Sequence, residues 1–299
     1  MKILPFIFVI SLIFCLKDSD YIISKKKTIE LKNSASFKVV DYHENFFRGW
    51  TVSEFKNTLN TWNNMIDFKE NVFKYDSNIK YPDSYDFRNA FPQCVLPVRN
   101  QGQCGASWAI SLLSALSNRY CMNNKSENLS PQDMLSCDTW DYGCNGGDLS
   151  DAFNYTVNTG VVNEECWPFE SSQGYVPPCR SSCKNSTVKW IKFHCKPNSV
   201  ITVKGEKPEK TELSLNGPVI TSFSVYEDFM YYKSGIYHHK SGGLMGNHVV
   251  KVIGYGINPE KYWIAENVWG PSWGEKGYFR IGAGECDFDN FMMICSPEI

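Results

Sequence analysis

The residues best suited to covalent chemistry lie in one short stretch, Gln101–Ile110. Its glycines loosen the backbone, and from Trp108 onward the apolar residues fall three and four apart, which predicts a helix with one apolar stripe. Ser107 therefore stands at the head of that helix, where unpaired backbone N–H groups and the helix dipole favour negative charge. A hydroxyl at such a position is a candidate nucleophile for acyl transfer, if a base and an oxyanion donor lie nearby.

Three further polar residues could complete that chemistry. His248 precedes an apolar, strand-like run and could act as the base, while Asn267 precedes a Trp-Gly pair and could orient the imidazole. Gln101, whose side-chain amide has N–H groups to donate, lies six residues before Ser107. Each residue alone has an ordinary alternative, because a histidine or asparagine at a strand end is more often a turn residue. Their combination favours an active site.

The stretch Cys104–Trp108 resembles the active-site signature of papain-family cysteine peptidases, Cys-Gly-(Ser/Ala)-Cys-(Trp/Tyr). The chain departs from it at one position, because Ser107 stands where the family has its nucleophilic cysteine. His248 falls within the family's spacing of ~130–150 residues downstream of the nucleophile. By resemblance, the catalytic positions are those of the oxyanion donor, the nucleophile, the base and its orienting group: Gln101, Ser107, His248 and Asn267.

Within this family the chain looks most like cathepsin B, from Tyr81 to the C-terminus. The runs Val225–Phe229 and Tyr232–Gly235 carry that likeness. Cathepsin B also has a long, histidine-containing occluding loop that confers carboxydipeptidase activity. The corresponding segment here, between Cys166 and Cys179, is short and contains no histidine. The cleft is therefore expected to be open, as in an endopeptidase.

The resemblance extends to the residues that bind substrate. Gly146 and Gly147 match a cleft wall where glycines let a peptide backbone approach closely, and Trp269 agrees with the family pattern. Val268 departs from the serine that usually follows the orienting asparagine. Cathepsin B has an acidic residue at the base of its second specificity pocket, and Phe291 is the matching position. The pocket is expected to prefer apolar side chains and to disfavour basic ones.

The cysteine content fits an oxidising compartment. Of the 12 cysteines, Cys15 belongs to the predicted signal peptide, so an odd number remains and at least one is left over. Cys195, Cys286 and Cys295 are given no partner by the resemblance, which leaves room for one further pair and one free thiol. The resemblance implies four disulfide bonds: Cys94–Cys121, Cys104–Cys144, Cys137–Cys179 and Cys166–Cys183.

The N-terminus predicts entry into the secretory pathway. A lysine precedes an apolar run from Ile3 to Leu16 that is too short to span a bilayer comfortably, so residues 1–17 are interpreted as a signal peptide rather than a membrane anchor. With 30 Lys+Arg against 32 Asp+Glu, the net charge of −2 gives no reason to expect nucleic acid or an anionic membrane as a partner. We expect a lysosomal, vacuolar or extracellular destination. Glycosylation sequons fit this expectation and occur at Asn124, Asn128, Asn154 and Asn185.

Composition divides the rest of the chain. Residues 18–80 contain no cysteine and are rich in lysine, asparagine and aspartate, which predicts a propeptide; the alternative is a poorly ordered extension. An amphipathic helix is predicted over residues 52–68. Residues 81–299 form the predicted peptidase domain, with a mostly helical lobe at 81–185 and a mostly β lobe at 186–299. Helices first and strands later predict an α+β fold, and the resemblance implies the papain-like form, a helical left lobe and a β-barrel-like right lobe with the cleft between.

Local signals place the elements of that domain. Ser130 followed by Pro131 predicts a capped helix, and a further helix is predicted from Leu149 to about Thr159, ended by a glycine. Alternating and β-branched residues predict strands at residues 218–225, 249–255 and 262–265.

The serine changes the chemistry expected of this frame. A cysteine thiol ionises near pH ~8.5, and lower beside an imidazolium and a helix head, whereas a serine hydroxyl cannot form a resting ion pair with the imidazole. Three hypotheses follow: a pseudo-peptidase that binds peptide with little cleavage, which is favoured; a weakly active serine-nucleophile endopeptidase; and a secreted structural or decoy protein. An engineered Cys→Ser change that traps a zymogen is a further explanation.

The expected partners follow from the same frame. They are a peptide or protein ligand and the chain's own propeptide, and the protein is expected to be a monomer. The pair His238-His239 could suggest a metal, but no further ligands stand nearby at zinc spacing, so the pair is interpreted as a surface turn. No cofactor and no metal are expected.

Overall fold

The computed structural model describes residues 16–59, residue 75 and residues 78–299. Most of the predicted signal peptide lies outside these residues, as does the predicted propeptide helix beyond Leu59. Across the described part of the chain, no helix is both long enough and apolar enough to span a membrane.

Seven α-helices are described. Helix α4 is the longest, and α5 and α6 begin where the sequence signals placed them, with Ser130 and Asp148 as their N-terminal caps. Gly160, with a positive φ, follows the last turn of α6 as expected. The helices are α1 Lys25–Ser34, α2 Val52–Lys56, α3 Phe87–Ala90, α4 Ser107–Met122, α5 Pro131–Cys137, α6 Leu149–Asn158 and α7 Glu206–Asn216.

Ten strands are described, and eight of them form one sheet, to which the C-terminal half of the chain contributes seven. The order across this sheet is β3-β10-β4-β7-β8-β9-β6, with β2 also pairing with β7. The longest strand, β7, therefore lies at the centre. The strands are β1 Lys38–Val39, β2 Tyr85–Asp86, β3 Ile201–Val203, β4 Val219–Tyr226, β5 Tyr232–Ser234, β6 Ile236–Tyr237, β7 Leu244–Gly256, β8 Tyr262–Glu266, β9 Tyr278–Gly282 and β10 Met292–Ile294.

Helices α4, α5 and α6 precede all strands of this sheet except β2 in the chain, so the α+β class expected from the sequence is confirmed. One helix of the second half, α7, packs against β7. Helix α4 also packs on β7, so the central helix and the central strand meet at the junction of the helical and β parts. This contact brings Ser107 on the helix next to His248 and the residues that follow it on the strand.

Helix α4 is more deeply buried than a single apolar stripe would predict. Every residue from Ser107 to Tyr120 is buried, including its serines, Asn118 and Arg119. The helix is surrounded by protein, so its polar side chains must find hydrogen-bond partners inside the fold.

The N-terminal segment, residues 16–59, lies against the rest of the protein. Its strand β1 pairs with β5, and the N–H of Val40 donates to the carbonyl of Tyr231 at 2.9 Å. Helix α2 begins with a capping box between Thr51 and Glu54. The helix predicted over residues 52–68 does not continue unbroken, because α2 ends at Lys56 and residues 57–59 are not helical; the rest of the predicted range lies outside the described residues.

Five disulfide bonds join the described cysteines. All four pairs implied by the resemblance are present, and Cys195 pairs with Cys295. Cys286 is the free thiol among the described cysteines. Burial and nearby carboxylates raise the pKa of Cys286 to about 12, so this thiol cannot substitute for a thiolate nucleophile.

Candidate active site

Ser107 occupies the first position of α4, as the sequence predicted. The preceding Cys104 is bonded to Cys144, which fixes the loop leading into the helix. The cap residue Ala106 offers no side chain to the first-turn N–H groups. The N–H groups of the first turn therefore receive no hydrogen bond from the cap side chain. An oxyanion-binding site requires N–H groups that are free in this way.

His248 and Asn267 meet at the end of the central strands. His248 Nε2 lies 2.9 Å from Asn267 Oδ1, and that same oxygen accepts the N–H of Val268 at 2.8 Å. The second contact fixes the orientation of the amide, so the hydrogen in the first must sit on Nε2. This tautomer leaves Nδ1 as the basic nitrogen, which a proton acceptor requires.

The environment keeps this imidazole neutral. Both His248 and Asn267 are fully buried. Burial lowers the pKa of His248 to about 4, although the hydrogen bond to Asn267 acts in the opposite direction. Trp269 covers the pair, with its ring centroid 4.9 Å from that of His248. A neutral histidine is the form that can accept a proton.

Ser107 does not hydrogen-bond to that base. Its Oγ accepts the backbone N–H of Val249 at 3.3 Å. Among the described residues, His248 Nδ1 has no hydrogen-bond partner. The hydroxyl and the imidazole are thus adjacent in the fold but not joined by the contact that would let the base withdraw the proton.

Gln101 is already bound to a carbonyl. Its side-chain Nε2 donates to the backbone oxygen of Thr58 at 2.6 Å, and its own N–H is held by the carbonyl of Val268 at 2.8 Å. The proposed oxyanion donor is therefore held in position by the loop after Asn267, and a peptide carbonyl of the N-terminal segment occupies it. No sequence motif predicted that Thr58 would be the occupant.

The N-terminal segment also covers the tryptophan of the site. Phe47 and Phe55 pack edge-on against Trp269, with centroid distances of 5.0 and 5.6 Å. On the far side of Thr58, the side chain of Leu59 approaches Gly246, where an added Cβ would lie 3.1 Å from it. Residues 55–59 thus run through the site and exclude other ligands.

The predicted cleft wall lies beside α4. Gly147 packs on the indole of Trp108, and an added Cβ would lie 2.6 Å from the ring, so a side chain cannot be accommodated without movement. Gly146 has a φ of 104°, which favours glycine. Phe291 is mostly buried just before β10, and its carbonyl accepts from Thr221 Oγ1 at 2.8 Å.

The histidine pair lies elsewhere and is more enclosed than a surface turn. His238 bridges Glu260 and Glu285 at 3.0 and 2.8 Å, and His239 lies 3.1 Å from the buried Asp228. Partial burial lowers the pKa of His238, but the two carboxylates outweigh it and the net shift is upward. Within the described ranges, no cluster of three or more His, Cys, Asp or Glu residues could hold a metal ion.

Comparison with known proteins identifies this arrangement. Residues 81–295 match the model of the papain family of cysteine proteases. The chain belongs to this family. It resembles a cathepsin B-like protein, CP3, of Giardia intestinalis, with 39% identity over 207 residues that cover 67% of this chain and 69% of the relative. Cathepsin B of Dictyostelium discoideum is 34% identical over 246 residues, covering 77% of this chain and 79% of the relative.

A solved proenzyme gives the corresponding structural likeness. Procathepsin B S9 from Trypanosoma congolense superposes with a TM-score of 0.85 and 28% identity, covering 94% of this chain and 100% of that chain. The cathepsin B-like assignment and the papain-like fold are therefore confirmed. The likeness to a proenzyme agrees with an N-terminal segment that occupies the papain-family cleft.

Two features of this cathepsin B-like site escaped the sequence analysis. One is the occupant of the cleft at Thr58, for which the sequence contains no local signal. The other is a row of buried polar residues on α4 that begins at Ser107 and continues through Ser111 and Ser114. Their spacing of four and three residues is a helical signal, but a search for apolar periodicity passes over serines.

Proposed function

We propose that this cathepsin B-like chain is a pseudo-peptidase of the secretory pathway. Its propeptide keeps the cleft closed until it is removed, and the exposed cleft then binds extended peptides with little or no cleavage. The proposed catalytic frame consists of Gln101, Ser107, His248 and Asn267, and the proposed substrate contacts are Gly146, Gly147, Trp269 and Phe291. The destination proposed is the lysosome, a vacuole or the extracellular space.

The contact made by Ser107 carries this proposal. Its Oγ accepts an N–H from Val249, while His248 Nδ1 has no partner within the described part of the chain. A serine hydroxyl needs its base in hydrogen-bond contact, because it remains protonated until attack. A thiol could ionise beforehand and would depend less on that contact. The arrangement therefore suits a cysteine thiol at the position where this chain has the hydroxyl of Ser107.

Peptide binding does not need the nucleophile. The carbonyl of Thr58 on Gln101 and the packing of Leu59 near Gly246 illustrate how this cleft holds an extended backbone. A free peptide would place a carbonyl on the same donor. We infer that an apolar side chain, such as phenylalanine or leucine, is preferred in the pocket closed by Phe291.

The test compares three forms of the protein after removal of residues 18–80: the natural form, Ser107→Cys and Ser107→Ala. The readout is cleavage of a fluorogenic peptide with phenylalanine or leucine two residues before the cleaved bond. We expect Ser107→Cys to exceed the natural form by ~10³-fold or more, since losing the proper nucleophile removes several orders of magnitude of rate. The natural form and Ser107→Ala should be similar, and fluorescence anisotropy should detect peptide binding by both.

Other outcomes favour the other functions. The His248–Asn267 pair is intact, which is the observation that supports a weak serine endopeptidase. Cleavage by the natural form at the rate of Ser107→Cys would establish that activity and reject the pseudo-peptidase. A folded but inert Ser107→Cys form that also fails to bind peptide would instead support a structural or decoy role.

A further inference from the structure

Helix α4 presents a buried polar stripe to strand β7. The stripe consists of Ser107, Ser111, Ser114 and Asn118, which recur at intervals of four, three and four residues and so share one face of the helix. All four are buried. A buried polar group without a partner is costly, so a stripe of this length implies matching groups on the opposing strand.

The first two members of the stripe hold the backbone of one residue of β7. Ser107 Oγ accepts the N–H of Val249 at 3.3 Å, and Ser111 Oγ donates to the carbonyl of Val249 at 2.9 Å. Val249 directly follows His248 in the strand. The helix therefore binds both the N–H and the C=O of the residue beside the proposed base.

The next two members hold a buried ammonium. Lys251 Nζ donates to Ser114 Oγ at 2.7 Å and to Asn118 Oδ1 at 2.9 Å. Its third contact is with Glu266 Oε2 at 2.9 Å, and the two side chains are only 3% and 6% exposed. An ammonium has three hydrogens to donate, so this network uses all of them.

These contacts connect the three elements that carry the site. Lys251 lies three residues after His248 on β7, and Glu266 directly precedes Asn267 at the end of β8. The two residues are also opposite one another in the β7–β8 pairing. We propose that Lys251 is a positioning residue, which fixes β7 and β8 on α4 and thereby holds His248 and Asn267 in register over the head of the helix.

Register, rather than stability alone, is the natural role of such a group. A buried ion pair recovers little net free energy after desolvation, so apolar residues of similar size would stabilise this contact at least as well. What they would lack is direction, since the ammonium can be satisfied in only one alignment of Ser114, Asn118 and Glu266. The contacts of Lys251 hold His248 and Asn267 in place whether or not Ser107 can attack a peptide.

The test uses the full chain with ¹⁵N-labelled histidine and reads the ring of His248 by NMR. The ring hydrogen on Nε2, donated to Asn267, should exchange slowly with solvent. We expect its exchange rate to rise about tenfold or more in Lys251→Met, because local opening of the strand contact exposes it. The readout needs no substrate, so its result is independent of whether the pseudo-peptidase proposal succeeds.

The matched control is Arg119→Met. Arg119 is a buried cation on the same helix, but it pairs with Glu212 and the carbonyls of Gly217 and Pro218, not with β7. We expect this variant to lose stability while the His248 exchange rate stays within about threefold of the natural protein. An unchanged rate in Lys251→Met, or an equal rise in both variants, would overturn the positioning role.

A milder variant keeps the test decisive if Lys251→Met does not fold. Ser114→Ala removes one acceptor of the ammonium and leaves the ion pair in place. We expect the His248 ring resonance to shift and its exchange to accelerate in the same direction, though less. No change in either quantity would reject the proposal.

Discussion

The two ends of the contact between α4 and β7 differ in whether their buried polar atoms have hydrogen-bond partners. At the head of the helix, the described residues offer no partner to Gln101 Oε1, His248 Nδ1 or Asn267 Nδ2, although all three atoms are buried. Farther along, Lys251 donates all of its hydrogens and Glu266 accepts two contacts. Buried polar atoms are rarely left unpaired in a structural core. The unpaired end thus coincides with the proposed catalytic residues, and the saturated end is the proposed support.

Substitution at the two ends should therefore have unequal effects on folding, and this is the largest effect that we expect. Lys251→Met leaves the Glu266 carboxylate buried without its cation and should lower the free energy of unfolding by ~3–5 kcal/mol. Gln101→Ala removes one hydrogen bond to Thr58 and should cost about 1 kcal/mol. Urea unfolding of the full chain, followed by tryptophan fluorescence, measures both. Equal losses would show that the two ends do not differ as described.

The sequence predicted the proposed catalytic residues but not their support. The residues Cys104, Gly105 and Trp108 predicted the nucleophile position, and the local motifs around His248 and Asn267 predicted the other members, because active-site motifs are short and continuous. Helix α6 and the central strands were predictable for the same reason, since caps and alternation are local signals.

The support depends on contacts between residues far apart in the chain. Lys251 and Glu266 occur in strand-like runs where charged residues suggest a solvent-facing side, yet both are buried against α4. Pairing across β7 and β8 and the stripe on α4 must all be known before their burial can be inferred. The end of α2 at Lys56 likewise has no local signal, because the apolar spacing continues past it while Thr58 contacts Gln101, which is distant in the chain.

Lowering the pH should reduce the stability of the fold through His248, at the proposed catalytic end of this contact. Its pKa is about 4 in the folded chain and ~6.5 when unfolded, so between these values the unfolded chain binds more protons. Stability therefore rises with pH in this window: the contribution of His248 is complete above pH ~6.5 and is lost as the pH falls toward 4, by up to about 3 kcal/mol.

His248→Gln isolates this contribution. As the pH is lowered from 7 to 4, the free energy of unfolding should fall more for the natural chain than for this variant. His238 should have the opposite sign, because its pKa is raised and its contribution is lost as the pH rises through the folded value. A difference between natural chain and His248→Gln that stays constant with pH would mean that the imidazole is not held neutral at the covered site.

The smallest effect should come from Ser111, in the middle of the stripe. It tests whether the stabilisation of the α4–β7 contact is spread along the stripe or concentrated at the Lys251 ammonium. Ser111→Ala removes the hydrogen bond to the carbonyl of Val249, worth about 1 kcal/mol, while alanine favours the helix by up to ~0.5 kcal/mol. The net loss should be below about 1 kcal/mol. The matched control is Ser117→Ala, because Ser117 is buried on the same helix but bonds to Leu113 and Leu129 rather than to β7. Both variants should unfold at similar urea concentrations, and only Ser111→Ala should perturb the His248 ring resonance. If Ser111→Ala lost as much unfolding free energy as Lys251→Met, the main contact between α4 and β7 would be at the backbone of Val249, next to the proposed base, and not at the buried ion pair.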